Sequence, residues 1–183
     1  MRAYPTTLHG VLEVHPDLRS DGRGGFFEAW HATRYRELGM PAEFRQCNVS
    51  VSKRGVLRGL HFQHPNSQAK LITAVHGTIF DVAVDVRRGS PSFGQWHGIE
   101  LDAKKGRQLF IPGGLAHGFL ALTESVVMYL ATALYDPSSE IVVRWDDPTL
   151  GIAWPSVPEE LSGRDAAAPL LSTLGDRLPN FEG

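Results

Sequence analysis

The sequence has only one cysteine, Cys47, among 183 residues. One thiol excludes an internal disulfide and any zinc site built from several cysteines. Long apolar runs are also missing, since stretches such as Val82-Ala83-Val84 are far shorter than the roughly 20 residues of a membrane-spanning helix. The N-terminal residues contain no apolar segment followed by a small-residue cleavage site. These absences predict a cytoplasmic protein that does not enter a membrane.

An excess of charge of either sign is absent as well, because 18 Lys and Arg residues face 20 Asp and Glu residues. This balance excludes a protein that coats a nucleic acid or another polyanion. Glycine and proline are spread along the chain, without a linker, a low-complexity segment or an internal repeat. With 42% hydrophobic residues, residues 1–183 are expected to form a single domain with a buried core.

What the chain does contain is a series of short apolar segments separated by glycine and proline. The segment at residues 31–38 is predicted as the early helix. Many short strands with few helices favour an antiparallel sandwich or barrel over a parallel α/β sheet. The predicted strands are Gln46–Ser52, Val56–Phe62, Ala69–His76, Thr78–Val86, Gly98–Leu101, Arg107–Ile111, Val126–Tyr135 and Ile141–Trp145.

Polar and apolar residues alternate over residues 46–52. Successive side chains of a strand point to opposite faces, so this strand has one polar and one apolar face. The apolar face, with Cys47, Val49 and Val51, is predicted to be buried, and the polar face to line a cavity. The polar face consists of Gln46, Asn48, Ser50 and Ser52.

Two tyrosines share a face of the strand predicted at residues 126–135. Only Ala131 and Ala133 lie between Tyr129 and Tyr135 on that face. This arrangement leaves a space that can hold a flat ring between two phenols. Packing of the two tyrosines at the end of a core remains the alternative.

His61 is the first candidate for a general base, within the polar segment at residues 55–65. An imidazole titrates at about pH 6.5, so at neutral pH it can both accept and return a proton. A single histidine is more often structural or solvent-exposed. Lys70, Tyr129 and Asp165 add a cation, an acid and an orienting carboxylate, and together they favour a catalytic role.

Metal binding is the competing use of these histidines. The segment at residues 111–119, which contains His117, resembles the second sequence motif of cupins. Metal-binding cupins supply two histidines one residue apart, whereas His61 and His64 are three apart and face opposite ways in a regular strand. Lys70 follows where a glutamate ligand is expected, and an ammonium group repels a cation. The sequence therefore predicts no metal site.

Several motifs occur in a fixed order along the chain. They are Asp21-x-Arg23-Gly24 with Phe27-Glu28, Gln46-x-Asn48-x-Ser50-x-Ser52, Gly55-Val56-Leu57-Arg58-Gly59-Leu60-His61, Gln68-Ala69-Lys70, Asp81-Val82-Ala83-Val84-Asp85, Ser90-Pro91-Ser92-Phe93-Gly94-x-Trp96, Ile111-Pro112 with Ala116-His117-Gly118-Phe119, and Leu161-Ser162-x-x-Asp165. In this order they resemble the dTDP-4-dehydrorhamnose 3,5-epimerase family of deoxysugar biosynthesis. The resemblance runs from about Thr7 to Leu171.

The resemblance implies a mainly β fold, a double-stranded β-helix or jelly roll of the cupin type with a few short helices. It further implies a homodimer whose N-terminal strands contribute to the partner's sheet and site, with residues 166–183 as a C-terminal tail. The implied substrate is dTDP-4-dehydro-6-deoxyglucose. No metal and no organic cofactor are expected, because the substrate's own ketone accepts the electron pair. Nucleic acids and membranes are not expected partners.

The resemblance also implies roles for individual residues. His61 is similar to the family's base, Asp165 to its orienting partner and Tyr129 to the acid on the other face of the sugar. Lys70 is similar to the cation beside the 4-keto oxygen, and Tyr135 to the residue that stacks on thymine. The remaining nucleotide and sugar contacts are Arg23, Glu28, Gln46, Asn48, Arg58, His117, Glu140 and Arg164.

Two positions depart from the family pattern. Leu130 and Arg164 stand where many members carry lysine, and the rigid guanidinium fork of arginine changes how a diphosphate is held. The sequence leaves open whether carbon 3, carbon 5 or both are inverted. A non-catalytic cupin that binds sugar nucleotides, or a metal-dependent cupin enzyme, is the alternative function.

Overall fold

Thirteen short strands and two short α-helices make up the regular structure of the residues that the structure describes. This computed structural model describes residues 1–41 and 43–182. The strands are β1 (Arg2–Pro5), β2 (Leu12–His15), β3 (Arg19–Asp21), β4 (Gly24–Phe26), β5 (Gln46–Ser52), β6 (Leu57–Gln63), β7 (Lys70–His76), β8 (Thr78–Asp85), β9 (Trp96–Asp102), β10 (Gln108–Ile111), β11 (Leu115–Ala121), β12 (Ser125–Ala131) and β13 (Glu140–Val142). The helices are α1 (Ala32–Glu37) and α2 (Gly163–Ala166), with 3₁₀ turns at Leu171–Thr173 and Gly175–Arg177.

The strands form two main antiparallel sheets. One sheet has the order β1-β2-β10-β7-β12-β5, the other has the order β13-β6-β11-β8-β9, and β3 and β4 form a separate hairpin. Strands that are distant in sequence are neighbours, as where β10 lies between β2 and β7. This crossed topology is a jelly roll, so the predicted mainly β, antiparallel fold is confirmed. No helix in the described residues is long and apolar enough to span a bilayer.

The main core lies between the two sheets. Ile72 and Leu109 from the six-stranded sheet belong to the same buried cluster as Ile99 and Phe119 from the five-stranded sheet. These side chains are apolar and nearly free of solvent contact. Their burial supplies the main driving force for closing the two sheets onto each other.

The five-stranded sheet is also buried on its outer face. In β8, Ile79 and Ala83 belong to the inner cluster, whereas Val82 and Val84 belong to an outer cluster. The C-terminal segment covers this outer face through Leu171 and neighbouring leucines. A strand with two buried faces has no polar side, so the acidic residues of β8 must be buried with partners.

Helix α1 covers part of the outer face of the six-stranded sheet. Tyr35 is fully buried in a third cluster with Val14 and Leu71. Its hydroxyl donates to Oε1 of Gln108 at 2.7 Å. The His31 side chain caps the helix start by accepting from the Arg34 backbone N–H. The predicted helix at residues 31–38 is confirmed.

Several strand predictions differ from the structure. β12 ends at Ala131, so the predicted strand over 126–135 is too long. The strands β1 to β4 and β11 were absent from the prediction. β11 is buried along its whole length and is preceded by Gly113 and Gly114, so it shows neither alternation nor a clear start.

The predicted burial of one face of β5 is wrong for this chain. Val49 and Val51 are 62% and 65% exposed, and Cys47 is exposed too. β5 forms an edge of the six-stranded sheet, and its polar face is the one directed inward. An apolar strand face in contact with solvent is unusual, and it marks a surface that something else can cover.

Candidate active site

A cavity of about 460 Å³ opens between the two sheets. All but two of the residues predicted for the site line it. The lining residues are Gln46, Asn48, Ser50, Arg58, His61, Gln68, Lys70, His117, Phe119, Tyr129, Tyr135, Glu140, Ser162, Arg164 and Asp165. A cavity of this size, lined mostly by polar side chains, is typical of a site for a small molecule.

His61 and Asp165 form a hydrogen-bonded pair in this cavity. Nε2 of His61, on β6, lies 2.6 Å from Oδ1 of Asp165, on α2. Asp165 is almost fully buried, whereas the His61 side chain is 30% exposed. The Ser162 hydroxyl accepts the backbone N–H of Asp165 and so starts the short helix that carries the carboxylate. The predicted pairing of the imidazole with its orienting carboxylate is present in the geometry.

The charge of Asp165 is maintained despite its burial. Burial on its own raises the pKa of this carboxyl, but the hydrogen bond and charge of His61 outweigh that effect, and the net pKa is lowered. Asp165 is therefore a carboxylate at neutral pH. A carboxylate here favours the tautomer with the proton on Nε2 of His61, which leaves Nδ1 free to accept a proton.

Tyr129 lies on the opposite wall of the cavity from His61. Its strand, β12, belongs to the six-stranded sheet, whereas β6 belongs to the five-stranded sheet. Burial raises the pKa of the Tyr129 phenol, and the contact with Asn48 offsets this only in part. The phenol therefore keeps its proton at neutral pH and can donate it.

Lys70 places a cation in the same cavity. Its Nζ lies 3.5 Å from the carbonyl oxygen of His61. Burial lowers the pKa of the Lys70 ammonium to about 8, although the negative charges of Glu140 and Asp81 act in the opposite direction. Lys70 is thus mostly protonated at neutral pH, and its proton is held less firmly than that of an ordinary lysine.

A hydrogen-bonded group closes one side of the cavity mouth. The Tyr135 hydroxyl donates to Oε2 of Glu140 at 2.9 Å, and the Arg164 guanidinium donates to the same oxygen. The backbone N–H of Tyr135 donates to Oε1 of Gln46 at 2.7 Å. Tyr129 and Tyr135 do line one cavity, but strand parity is not the reason, because Tyr135 lies beyond the end of β12.

Arg58 and His117 complete the polar lining. Arg58 donates to the Ser52 hydroxyl at 3.0 Å and to the Val51 carbonyl oxygen at 3.1 Å. These two bonds connect β6 to β5 across the sandwich. Nε2 of His117 lies 2.8 Å from Oδ1 of the fully buried Asp81.

Two predicted residues, Arg23 and Glu28, lie outside the cavity of this chain. Arg23 forms an exposed ion pair with Asp21 at 2.6 Å, at the turn of the β3–β4 hairpin. Glu28 pairs with Arg34 at 2.9 Å near the start of α1. Within one chain, neither residue reaches the other predicted site residues.

Four lining residues were not among the predicted site residues: Ser50, Gln68, Phe119 and Ser162. Two of them had a signal in the sequence. Ser50 belongs to the polar face of β5, which was expected to line a cavity. Ser162 precedes Asp165 by three residues, the spacing of a serine that caps a helix start. Gln68 and Phe119 belong to the ordered motifs of the chain, but no local pattern placed either of them in a cavity.

The ionisable groups in and beside the cavity include two histidine–carboxylate pairs and the Lys70 ammonium group. Within residues 1–41 and 43–182, no cluster of three or more His, Cys, Asp or Glu side chains has the arrangement of metal ligands. His61 and His64 line different cavities. The cavity is built for proton transfer and for an anionic ligand.

Sequence comparison places these residues in a known family. The model of the dTDP-4-dehydrorhamnose 3,5-epimerase family matches residues 5–173. The chain belongs to this family. It is 50% identical to the dTDP-4-dehydrorhamnose 3,5-epimerase of Salmonella typhimurium, over 93% of this chain and 96% of the relative. The resemblance stated from the motifs is confirmed.

The relatives of this chain carry two different enzyme names, 3,5-epimerase and 3-epimerase. It is 44% identical to the dTDP-4-dehydrorhamnose 3-epimerase of Streptomyces niveus, over 99% of this chain and 90% of that one. The crystal structure of the Legionella pneumophila dTDP-6-deoxy-D-glucose-3,5-epimerase in complex with dTDP-4-keto-L-rhamnose superposes with a TM-score of 0.96. That protein is 42% identical, and the match covers 100% of this chain and 99% of that one.

Proposed function

We propose that the protein epimerises carbon 3, carbon 5 or both of dTDP-4-dehydro-6-deoxyglucose. It would remove a proton alpha to the 4-keto group and return one to the opposite face. The observation that carries this proposal is the placement of the His61–Asp165 pair and Tyr129 on opposite walls of one cavity that Lys70 also lines. The names of the relatives support the same chemistry.

The reaction begins with loss of the alpha proton to His61. Nδ1 of His61 accepts the proton, and the electron pair of the broken C–H bond moves to the ketone oxygen as an enolate. Asp165 stabilises the imidazolium that forms. Lys70 stabilises the enolate oxygen, and one such donor in a site shielded from water is worth about 3 to 4 kcal/mol. The substrate's ketone is the electron sink, so no further group has to accept the electron pair.

Tyr129 completes the inversion from the other wall. Its phenol donates a proton to the enolate carbon on the face opposite His61, and the double bond returns to the ketone oxygen. The His61 imidazolium loses its proton to solvent, and the phenolate regains one. Each centre is thereby inverted with no net change in protons.

Binding of the nucleotide fixes the sugar for these transfers. We assign the negative diphosphate to the guanidinium groups of Arg58 and Arg164, which are suited to bidentate contacts. Tyr135 is 48% exposed at the cavity mouth and offers a ring for stacking on thymine. The polar face of β5, together with Glu140 and His117, would contact the sugar and base. Such remote contacts position the reacting carbon.

Deuterium incorporation tests the reaction and counts the inverted centres. Incubation with dTDP-4-dehydro-6-deoxyglucose in deuterated water is expected to place deuterium at carbon 3, at carbon 5 or at both, with inverted product, as read by NMR and mass spectrometry. Deuterium at one carbon identifies a mono-epimerase. Folded protein that incorporates no deuterium contradicts the proposal and favours a non-catalytic sugar-nucleotide-binding protein.

We further propose that the protein works as a homodimer. Three features of the chain support this: the exposed Val49 and Val51 on the edge strand β5, the 70% exposed Phe26 on the β3–β4 hairpin, and the position of Arg23 and Glu28 outside their own cavity. A second copy can cover the valines and bring Arg23 and Glu28 to the partner's site. The N-terminal strands would then serve both subunits.

Charge on the outer face of β5 should separate the dimer. The variant Val49→Glu/Val51→Glu is expected to elute as a monomer in size exclusion with light scattering, because it places charge where apolar surface is buried. The two substitutions should weaken the association of the subunits by at least about 3 kcal/mol. Val157→Glu is the matched control, since Val157 is 79% exposed and far from β5 in the sequence. A monomeric unmutated protein, or a dimeric double variant, contradicts this assembly.

The remaining proposals concern the domain and its location. We propose that residues 1–183 form a single domain, because Leu171, Leu174 and Leu178 pack in the same cluster as β6 and β8. The predicted tail at 166–183 thus starts at the end of α2 and continues along the outer face of the five-stranded sheet. The free, exposed Cys47 fits a reducing compartment, and we propose the cytoplasm.

A further inference from the structure

The cavity contains a second histidine–carboxylate pair beside the first. His117 on β11 lies directly opposite His61 on β6 in the strand register. Nε2 of His117 lies 2.8 Å from Oδ1 of Asp81, which comes from β8 on the other side of β11. Three adjacent strands thus supply two neighbouring imidazoles and the carboxylate of one of them.

Asp81 lies between two apolar residues on the inner face of β8. Its neighbours on the same face of β8, Ile79 and Ala83, belong to the inner core. Asp81 is fully buried, and its Oδ2 has no hydrogen-bond partner among the described residues. A buried carboxylate with one oxygen unpaired lowers the stability of the fold. Residues that cost stability in this way are concentrated at functional sites.

The hydrogen bond to Asp81 determines what His117 presents to the cavity. Because a carboxylate accepts, Nε2 of His117 carries a proton and donates it. Nδ1 has no protein partner among the described residues, although His117 lines the cavity. The ring is thereby held with one defined nitrogen available to the sugar.

Asp81 also acts on Lys70. No carboxylate lies within ion-pair distance of Lys70 in the described part of the chain, and the nearest protein acceptor is the His61 carbonyl oxygen at 3.5 Å. Burial favours the neutral form of Lys70, and the charges of Glu140 and, to a smaller extent, Asp81 favour the charged form. The Glu140 carboxylate is already paired with Arg164 and Tyr135.

We propose that Asp81 is a positioning residue for enolisation, which orients His117 toward the substrate and supplies the negative charge that balances the Lys70 ammonium. The proposal rests on the proposed function for the reaction it serves. The two effects can be separated chemically. Asparagine at this position keeps an acceptor for Nε2–H but removes the charge, whereas leucine removes both.

Asp85 provides the matched control. It is fully buried on the same strand and pairs with Arg87 at 2.7 Å, and Ser90 and Ser92 donate to it. It does not line the cavity. Asp85→Asn thus removes an equally buried carboxylate without touching His117 or Lys70. Its effect should be confined to stability.

Kinetics of the Asp81 variants form the first part of the test. For Asp81→Asn we expect a drop in kcat of about tenfold with little change in KM, since orienting partners of active groups carry effects of roughly 10 to 100-fold. The decline of kcat at high pH, the high-pH limb of its pH profile, should move to lower pH, because Lys70 loses its proton more readily. Asp81→Leu should lower kcat further. If folded Asp81→Asn shows the same kcat and the same high-pH limb as the unmutated protein, the proposal is overturned.

The high-pH limb is assigned to Lys70 after the other groups of the cavity are considered. The charged and titratable groups that line it with Lys70 are Arg58, His61, His117, Tyr129, Tyr135, Glu140, Arg164 and Asp165. Variation at Asp81 leaves all of them in place. A direct observation of the Lys70 side chain removes the remaining ambiguity.

NMR of the substrate-free protein decides the proposal independently of turnover. Nitrogen-15 spectra of His117 in the unmutated protein should show the proton on Nε2, and the opposite tautomer would overturn the proposal even if no variant folds. The carbon-13 titration midpoint of Lys70 Cε should fall in Asp81→Asn and stay unchanged in Asp85→Asn. If these results hold but the unmutated protein incorporates no deuterium, the proposed function fails and the role of Asp81 in ordering the cavity stands.

Discussion

Replacing His61 with asparagine should lower deuterium incorporation at the alpha carbons by about 10³-fold or more, the upper range for loss of a general base. Asparagine has no nitrogen that can accept the proton, while the Ser162 cap of the short helix α2 and the contact of the Gly59 N–H with Asp165 do not depend on His61. The measurement is proton exchange in deuterated water, followed by NMR at carbons 3 and 5.

Two further variants make the His61 result specific. Tyr129→Phe should retain measurable exchange while suppressing inversion, because the base and the enolate remain and only the acid on the other wall is removed. His64→Asn is the matched control, since His64 lies three residues along the same segment and outside the cavity. Normal exchange by His61→Asn would mean that another group is the base.

The sequence pattern located the polar wall of the cavity correctly but not its surroundings. Alternation is a local property of the chain, and it placed Gln46, Asn48 and Ser50 on one face. The same alternation predicted that Val49 and Val51 are buried, which is wrong within one chain. Periodicity reports that a face is apolar, and it does not tell whether the covering surface belongs to the same chain.

Pairings between distant residues needed more than local patterns. His61 and Asp165 are 104 residues apart, and only the ordered motifs of the family linked them. Asp81 and His117 lie on strands buried on both faces, where hydrophobic and polar residues do not alternate. Such strands give no signal of what lies beside them, so the second histidine–carboxylate pair emerged only from the register of β8, β11 and β6.

Replacing Lys70 with methionine should have the second large effect, a fall in kcat of about 10² to 10³-fold. The reason is the loss of the donor that stabilises the enolate oxygen, a contribution of about 3 to 4 kcal/mol. Methionine has a similar length and no charge, so the cavity stays filled. In the unmutated protein, activity should decline above about pH 8, where Lys70 loses its proton. Lys53→Met, at an exposed position, is the control.

The same variant should be more stable than the unmutated protein, and the gain should depend on pH. Burial lowers the pKa of Lys70 from 10.5 to about 8, so between these values the unfolded chain binds more protons than the folded one. The stability of the unmutated protein therefore rises with pH across this window, and the burial penalty is complete only below about pH 8.

Lys70→Met lacks this dependence, since it has no proton to lose. Its advantage in urea unfolding should be largest at neutral pH and should shrink toward pH 10.5, while Lys53→Met should follow the unmutated protein at every pH. An advantage that stays constant with pH would mean that packing, and not the buried charge, is responsible. If Lys70→Met is instead less stable than the unmutated protein at neutral pH, the surroundings of the Lys70 ammonium offset the cost of its burial more fully than its contacts indicate. The active site would then hold its cation at no cost to the fold.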